Sequence, residues 1–137
     1  MATEWSPALS IGVPQIDAQH QELFGQIELL IQAARLRDRT RIEPTLGFLT
    51  RYAVAHFEAE EALMRETGLP EPEAQVHREA HQKFREELRE LSAEFDERGP
   101  TALISLTLHN WVAEWLRRHV GRLDQALGRW VRRHGER

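Results

Sequence analysis

The chain contains no cysteine. Disulfides, thiolate metal ligands and cysteine nucleophiles are therefore excluded, and the composition suits a reducing compartment. Long hydrophobic runs are also missing. No stretch approaches the roughly 20 apolar residues that span a membrane. The opening residues, Met1 to Pro7, have neither the basic nor the apolar region of a secretory leader. Charge of one sign is lacking too. The 18 basic and 22 acidic residues are well mixed and give a formal net charge of −4, which offers no electrostatic footprint for nucleic acid or an anionic membrane. A locally basic run, Arg129, Arg132, Arg133 and Arg137, reads as a solvated helix end complementing the helix dipole. These absences predict a soluble, cytoplasmic protein without nucleic-acid or membrane partners. No protein partner can be named.

Strand signals are scarce, because β-branched residues are scattered and no alternating run persists. What remains is helical. The 137 residues suit one compact domain, taken as 1–137. An arm of about 1–16 carries Pro7, Gly12 and Pro14. Asp17 can cap a first helix of about 17–37. A polar join, Arg37 to Thr40, precedes a second of about 41–66. Thr67-Gly-Leu-Pro-Glu-Pro72 is the clearest break, with Gly68 placed to end a helix. A third helix covers about 72–97. Pro100 can open the fourth, about 101–133.

The apolar registers are heptad seams. His20, Phe24, Ile27, Ile31 and Ala34 step by 4, 3, 4, 3. Leu46, Leu49, Ala53, His56, Glu60 and Leu63 continue the pattern in the second helix, and His77, His81, Phe84, Leu88, Leu91 and Phe95 in the third. Such seams pack helices at a shallow left-handed angle. The prediction is an all-α protein, an up-down-up-down four-helix bundle with an extended N-terminal arm.

Polar residues fall on these seams where the core should be. A buried Glu60 or His77 would be costly without partners. His56 and Glu60, like His77 and His81, are four apart and so share one helix face. His20, His119 and Asp124 complete a set of imidazoles and carboxylates that suits a borderline transition metal such as iron. Zinc, with its tetrahedral preference, would leave donors unused. In the fourth helix the seam Val112, Trp115, His119 resumes one residue late, at Asp124, Leu127 and Val131. Residues five apart on an α-helix differ by about 140°. A π-type insertion would realign His119 with Asp124. His109 and His134 fit no seam and read as surface or supporting residues.

The ordered set resembles the hemerythrin family, in its single-domain bacterial form. Ile16-Asp-Ala-Gln-His20 is similar to the family's first-helix signature. Tyr52-x-x-x-His56-Phe57-x-x-Glu60-Glu61-x-x-Met64 is similar to the second, and Trp115-Leu-x-x-His119 to the fourth. Trp5 matches a recurrent N-terminal tryptophan. The resemblance covers about residues 5–127. It implies two iron ions, cycling between Fe2+ and Fe3+, with an oxo or hydroxo bridge. His77, His81 and His119 would bind one ion, and His20 and His56 the other. Glu60 and Asp124 would bridge both. The first ion would then have a filled shell and the second an open position. Phe24, Phe57, Trp115, Leu116 and Val120 are candidates for an apolar pocket beside the open position.

What the resemblance implies is reversible dioxygen binding for storage, transport or delivery. Alternatives on the same site are an oxygen, iron or redox sensor acting in trans, and a di-iron peroxidase or an enzyme handling nitric oxide. Nitric oxide or peroxide would then replace dioxygen as ligand. No acid–base residue outside the ligand set stands out for turnover, so the expectation is a binding protein with no catalytic residue.

Overall fold

The computed structural model describes residues 5–134, apart from the side chains of Ala113, Leu116 and Arg117. The described residues are helical, and none lies in a strand. A 3-10 turn at Pro7–Leu9 leads into α1 (Pro14–Arg35), α2 (Arg39–Thr67), α3 (Glu71–Arg98), α4 (Ala102–Trp115) and α5 (Gln125–His134). A π-helical segment, Leu116–Asp124, joins α4 to α5 without a break. Joins of three residues, 36–38, 68–70 and 99–101, turn each helix back on its predecessor. α1 packs against α2 and α4, α2 against α3, and α3 against α4. The result is a closed helical bundle. No helix is long and apolar enough to cross a membrane, among the described residues.

The helix ends follow local chemistry, in places other than those the sequence suggests. α1 starts at Pro14 rather than Asp17, because Pro14 supplies a ready-made first-turn φ and needs no donor. Asp17 instead ties down the arm. Its carboxylate accepts from Ser10 Oγ at 2.6 Å and from the Ile11 backbone N–H at 2.8 Å. α2 is capped by Asp38, whose side chain accepts from the Thr40 N–H at 3.2 Å. The helix ends in a Schellman turn: Gly68 has φ 71°, and Leu69 N–H reaches Met64 O at 3.0 Å. The cap of α4 is Thr101 rather than Pro100, with Thr101 Oγ1 accepting from Ile104 N–H at 3.1 Å.

The seams form the core as their spacing requires. All five α1 seam residues are buried, as are all six of α3. In α2 the seam shifts at its last step: Met64 is buried, and Leu63 lies at the margin of the core. A large apolar cluster fills one end of the bundle, from Leu23 and Phe57 to Phe84 and Leu108. A smaller one of Met64, Ala74, Leu127 and Val131 fills the other. Between them lies a layer of buried polar residues.

The π segment supplies the register correction that the fourth seam requires. In π geometry the i→i+5 bond places residues five apart above one another. His119 and Asp124 therefore both face inward, at 2% and 0% exposure. Beyond the segment, Leu127 and Val131 return to the core. The arm braces this region. Gln125 Nε2–H donates to Leu9 O at 2.9 Å, and the Arg132 guanidinium donates to Ile11 O. Gly128 lets the arm lie this close. A Cβ there would collide with the Ile11 carbonyl oxygen and approach Ile11 Cβ to 2.6 Å.

Gly128→Ala should therefore destabilise the protein by about 1–3 kcal/mol, the usual cost of overpacking, read as a lower urea midpoint at constant m-value. Gly25→Ala is the control. Its Cβ would meet nothing within 4 Å, and the change should be neutral or stabilising by up to ~1 kcal/mol. Equal effects at the two sites would contradict the packing described.

Candidate metal centre

The polar layer consists of His20, His56, Glu60, His77, His81, His119 and Asp124, each no more than 2% exposed. α1 contributes His20, α2 contributes His56 and Glu60, α3 contributes His77 and His81, and the π segment contributes His119 and Asp124. The structure thus brings together all seven residues that the spacing singles out. Two overlapping groups have their donor atoms within 4.8 Å of one another. One is Glu60, His77, His81 and His119, and the other is His20, His56, Glu60 and Asp124.

The carboxylates divide the imidazoles into two halves. Glu60 Oε1 lies 3.0 Å from His81 Nε2, 3.6 Å from His77 Nε2 and 3.8 Å from His119 Nε2. Its other oxygen, Oε2, lies 3.2 Å from His56 Nε2 and 3.3 Å from His20 Nε2. Asp124 splits in the same sense. Oδ1 is 2.9 Å from His77 Nε2 and 3.2 Å from His119 Nε2, while Oδ2 is 3.0 Å from His20 Nε2. Each carboxylate therefore turns one oxygen to a three-imidazole half and the other to a two-imidazole half. Adding one oxygen from each carboxylate, the chain offers five donors to the first half and four to the second.

The outer ring nitrogens fix two tautomers. His56 Nδ1–H donates to Gln19 Oε1 at 2.7 Å, and His81 Nδ1–H donates to Glu61 Oε2 at 2.8 Å. Their Nε2 lone pairs consequently point into the centre. Gln19 and Glu61 stand inside the sequence motifs beside His20 and Glu60, but nothing in the sequence assigns them a task. Their polar character next to a buried ligand-type residue was the only signal.

These atoms fit a cation better than they fit one another. His20 Nε2, His56 Nε2, Glu60 Oε2 and Asp124 Oδ2 are buried without a usable hydrogen bond, although they lie within 3.3 Å of opposite atoms. All four belong to the two-imidazole half. In the other half, His81 Nε2 faces His119 Nε2 at 3.2 Å. Two ring nitrogens so placed need a proton or a cation between them. Buried, unsatisfied and convergent donors of this kind are what a metal ion satisfies.

The apolar candidates line up unevenly. Phe24 and Val120 are buried in the large cluster. Phe57 stacks on His81 at 3.9 Å between ring centroids, and Trp115 stacks on His119 at 4.7 Å. Both rings therefore lean mainly on the three-imidazole half, although the Phe57 ring also lies 5.9 Å from the His56 ring. Phe57 follows His56 by one residue and so turns toward α3, and Trp115 lies one turn before His119. The side chain of Leu116 lies outside the described residues. His134 is exposed and stacks on Trp130 at 3.7 Å. His109 is half-buried in a groove beside Ile31 and Leu106. Neither reaches the centre.

Without metal, the cluster holds protons. Burial pushes the His20 and His77 imidazoles down, but hydrogen bonds and charge from Asp124 and Glu60 outweigh it and hold each up to about 9. His119 is raised against its burial by the same two carboxylates, whereas burial and the neighbouring His119 charge lower His81. Glu60 and Asp124 are held well below the ordinary carboxylate range: burial opposes this, and the facing imidazoles prevail. For a raised imidazole, stability is fully present below the unfolded value of 6.5 and is lost as pH rises through about 9. For a depressed carboxylate, it is present above the unfolded value of about 4 and is lost as pH falls. Metal-free protein should therefore lose stability between pH 6.5 and 9 in urea titrations, while metal binding should release protons over that same range. A metal-free stability that is flat from pH 6.5 to 9 would contradict the proton-holding cluster.

The arrangement has counterparts. The profile of the Hemerythrin HHE cation binding domain matches residues 11–131. A bacteriohemerythrin of Stenotrophomonas maltophilia (strain R551-3) is 30% identical over 130 residues, covering 95% of this chain and 82% of the relative. One of Methylococcus capsulatus is 28% identical over 112 residues, covering 82% of each. Among solved structures, a leucine-to-phenylalanine mutant superposes with a TM-score of 0.79 at 25% identity, covering 93% of this chain and 95% of that one. A hemerythrin variant superposes with a TM-score of 0.76 at 24% identity and the same coverage, a likeness of fold. With a profile match across most of its length and the buried histidine–carboxylate layer to accompany it, this chain belongs to the hemerythrin HHE cation-binding domain family.

Proposed function

We propose that the protein binds dioxygen reversibly at a pair of iron ions, for storage, transport or delivery. The observation that carries this reading is the split of both carboxylates between three imidazoles on one side and two on the other. On it, His77, His81 and His119 hold one ion, and His20 and His56 hold the second. Glu60 and Asp124, each turning one oxygen to either half, would contribute to holding both ions, together with an oxo or hydroxo group. When bound, the iron pair would supply the electrons and an open coordination position beside His20 and His56 for reversible dioxygen binding.

The chain's own residues do the rest. Glu60 and Asp124 set the spacing of the two halves and balance charge in a site closed to water. Gln19 and Glu61 hold His56 and His81 in the tautomer that presents Nε2 inward. The apolar clusters on either side exclude water from the layer. Five imidazoles against two carboxylates make a donor set less anionic than the carboxylate-rich di-iron sites of oxidases. Such a set favours the ferrous state and binding over oxidative turnover. The cysteine-free composition suits the cytoplasm, the compartment we propose.

Anaerobic loading with ferrous iron should give two irons per chain. A coloured adduct should then form in air, fade under argon and return in air. Irreversible bleaching with oxidation of an added substrate would support the enzyme reading instead. Single substitutions should separate the ligand roles. His119→Ala should weaken uptake of one iron by at least ~10-fold, no less than the loss of an outer partner. Glu60→Ala should deplete both sites together. Unchanged two-iron stoichiometry in either variant, measured by metal analysis on folded protein, would remove that residue from the ligand set.

A further inference from the structure

Behind the imidazoles the two halves differ in charge. In the three-imidazole half, the outer nitrogen of His81 meets a carboxylate, Glu61, whose side chain is only 21% exposed. In the two-imidazole half, the outer nitrogen of His56 meets a neutral amide, Gln19. Gln19 is itself anchored, because its backbone carbonyl accepts from Tyr52 O–H at 3.2 Å across the α1–α2 interface. One outer nitrogen in each half, Nδ1 of His20 and Nδ1 of His119, is buried without a partner and so does not even out the difference.

An outer N–H bonded to a carboxylate gives up more of its proton's charge than one bonded to an amide. The ring becomes a more electron-rich donor at Nε2. Weak screening in a buried layer enlarges the effect. A more electron-rich donor favours the higher oxidation state of the ion it holds. Resting on the iron-pair reading above, we propose that Glu61 is a positioning residue that makes the ion of the three-imidazole half the easier of the two to oxidise. Gln19 leaves the two-imidazole ion the harder to oxidise, and so keeps it ferrous where the open position lies.

The test is a spectroelectrochemical titration of iron-loaded protein under argon, with mediators carrying electrons to the electrode. Wild type should show two one-electron steps separated by a stable singly oxidised form. In Glu61→Gln, the first midpoint should rise and the second should hold. The comproportionation constant should fall at least ~10-fold, which is about 59 mV for a one-electron couple. Glu61→Asp, which keeps the charge, should restore most of the separation. Gln19→Glu should lower the second midpoint and narrow the gap from the other side. A second readout needs no iron: nitrogen-15 spectra of metal-free protein should show the His81 Nδ1–H proton displaced toward oxygen in wild type and not in Glu61→Gln. Both midpoints unmoved in Glu61→Gln, or moved equally, would overturn the assignment while leaving the iron pair standing. Fewer than two iron-centred steps in wild type would remove the iron-pair reading, and this inference with it.

Discussion

Two carboxylates, Glu60 and Asp124, lie at the centre of the bundle with no access to solvent. No lysine or arginine reaches them among the described residues; only imidazoles do. Buried charge in that position is strongly unfavourable unless compensated. His20, His77 and His119 compensate in part by holding protons in the metal-free state. That solution leaves orphaned donors in the two-imidazole half and ring nitrogens confronting each other in the other half. A pair of cations would resolve both defects, which is the requirement the proposed function places on this fold. Metal binding should couple to folding stability for the same reason.

Placing the second carboxylate takes an irregular backbone. His119 and Asp124 come from one continuous stretch of chain, five residues apart, and an α-helix would turn one of them away from the centre. The π segment over Leu116–Asp124 brings both inward. Such a segment has weaker hydrogen-bond geometry than an α-helix and survives where surrounding structure holds it. The arm is part of that support. Its residues 9–11 are held by Asp17 of α1 and by Gln125 and Arg132 of α5. A feature that looks like a loose N-terminal extension thus braces the helix that carries two of the seven polar residues.

Much of this is legible in the sequence, because heptad periodicity is a direct image of which faces pack. His20 to Ala34 and His77 to Phe95 are buried as the period requires. The polar residues betray themselves by interrupting those seams, and the delayed register after His119 signals the π segment. Helix ends are less legible. Asp17 has the chemistry of a cap, but Pro14 opens α1 and Asp17 binds the arm instead, a choice set by tertiary contact. Asp38 and Thr101 cap through the N–H groups of Thr40 and Ile104, local bonds that other nearby polar residues could equally supply. The direction of the rings beside the site is not legible either. Phe57 and Trp115 stand next to ligand-type residues in the sequence, yet which half they cover depends on helix rotation. Gln19 and Glu61 escape notice because a polar residue at the edge of a core usually faces water, and only three-dimensional proximity shows them behind His56 and His81.

The central claim is that the buried layer is a two-metal site of unequal halves, sharing two carboxylates. Diffraction from iron-loaded crystals at the iron absorption edge tests it most directly. The account predicts two anomalous peaks per chain, one flanked by Nε2 of His77, His81 and His119 and the other by Nε2 of His20 and His56, with Glu60 and Asp124 contacting both. One peak alone, or two peaks that do not share Glu60 and Asp124, would contradict it.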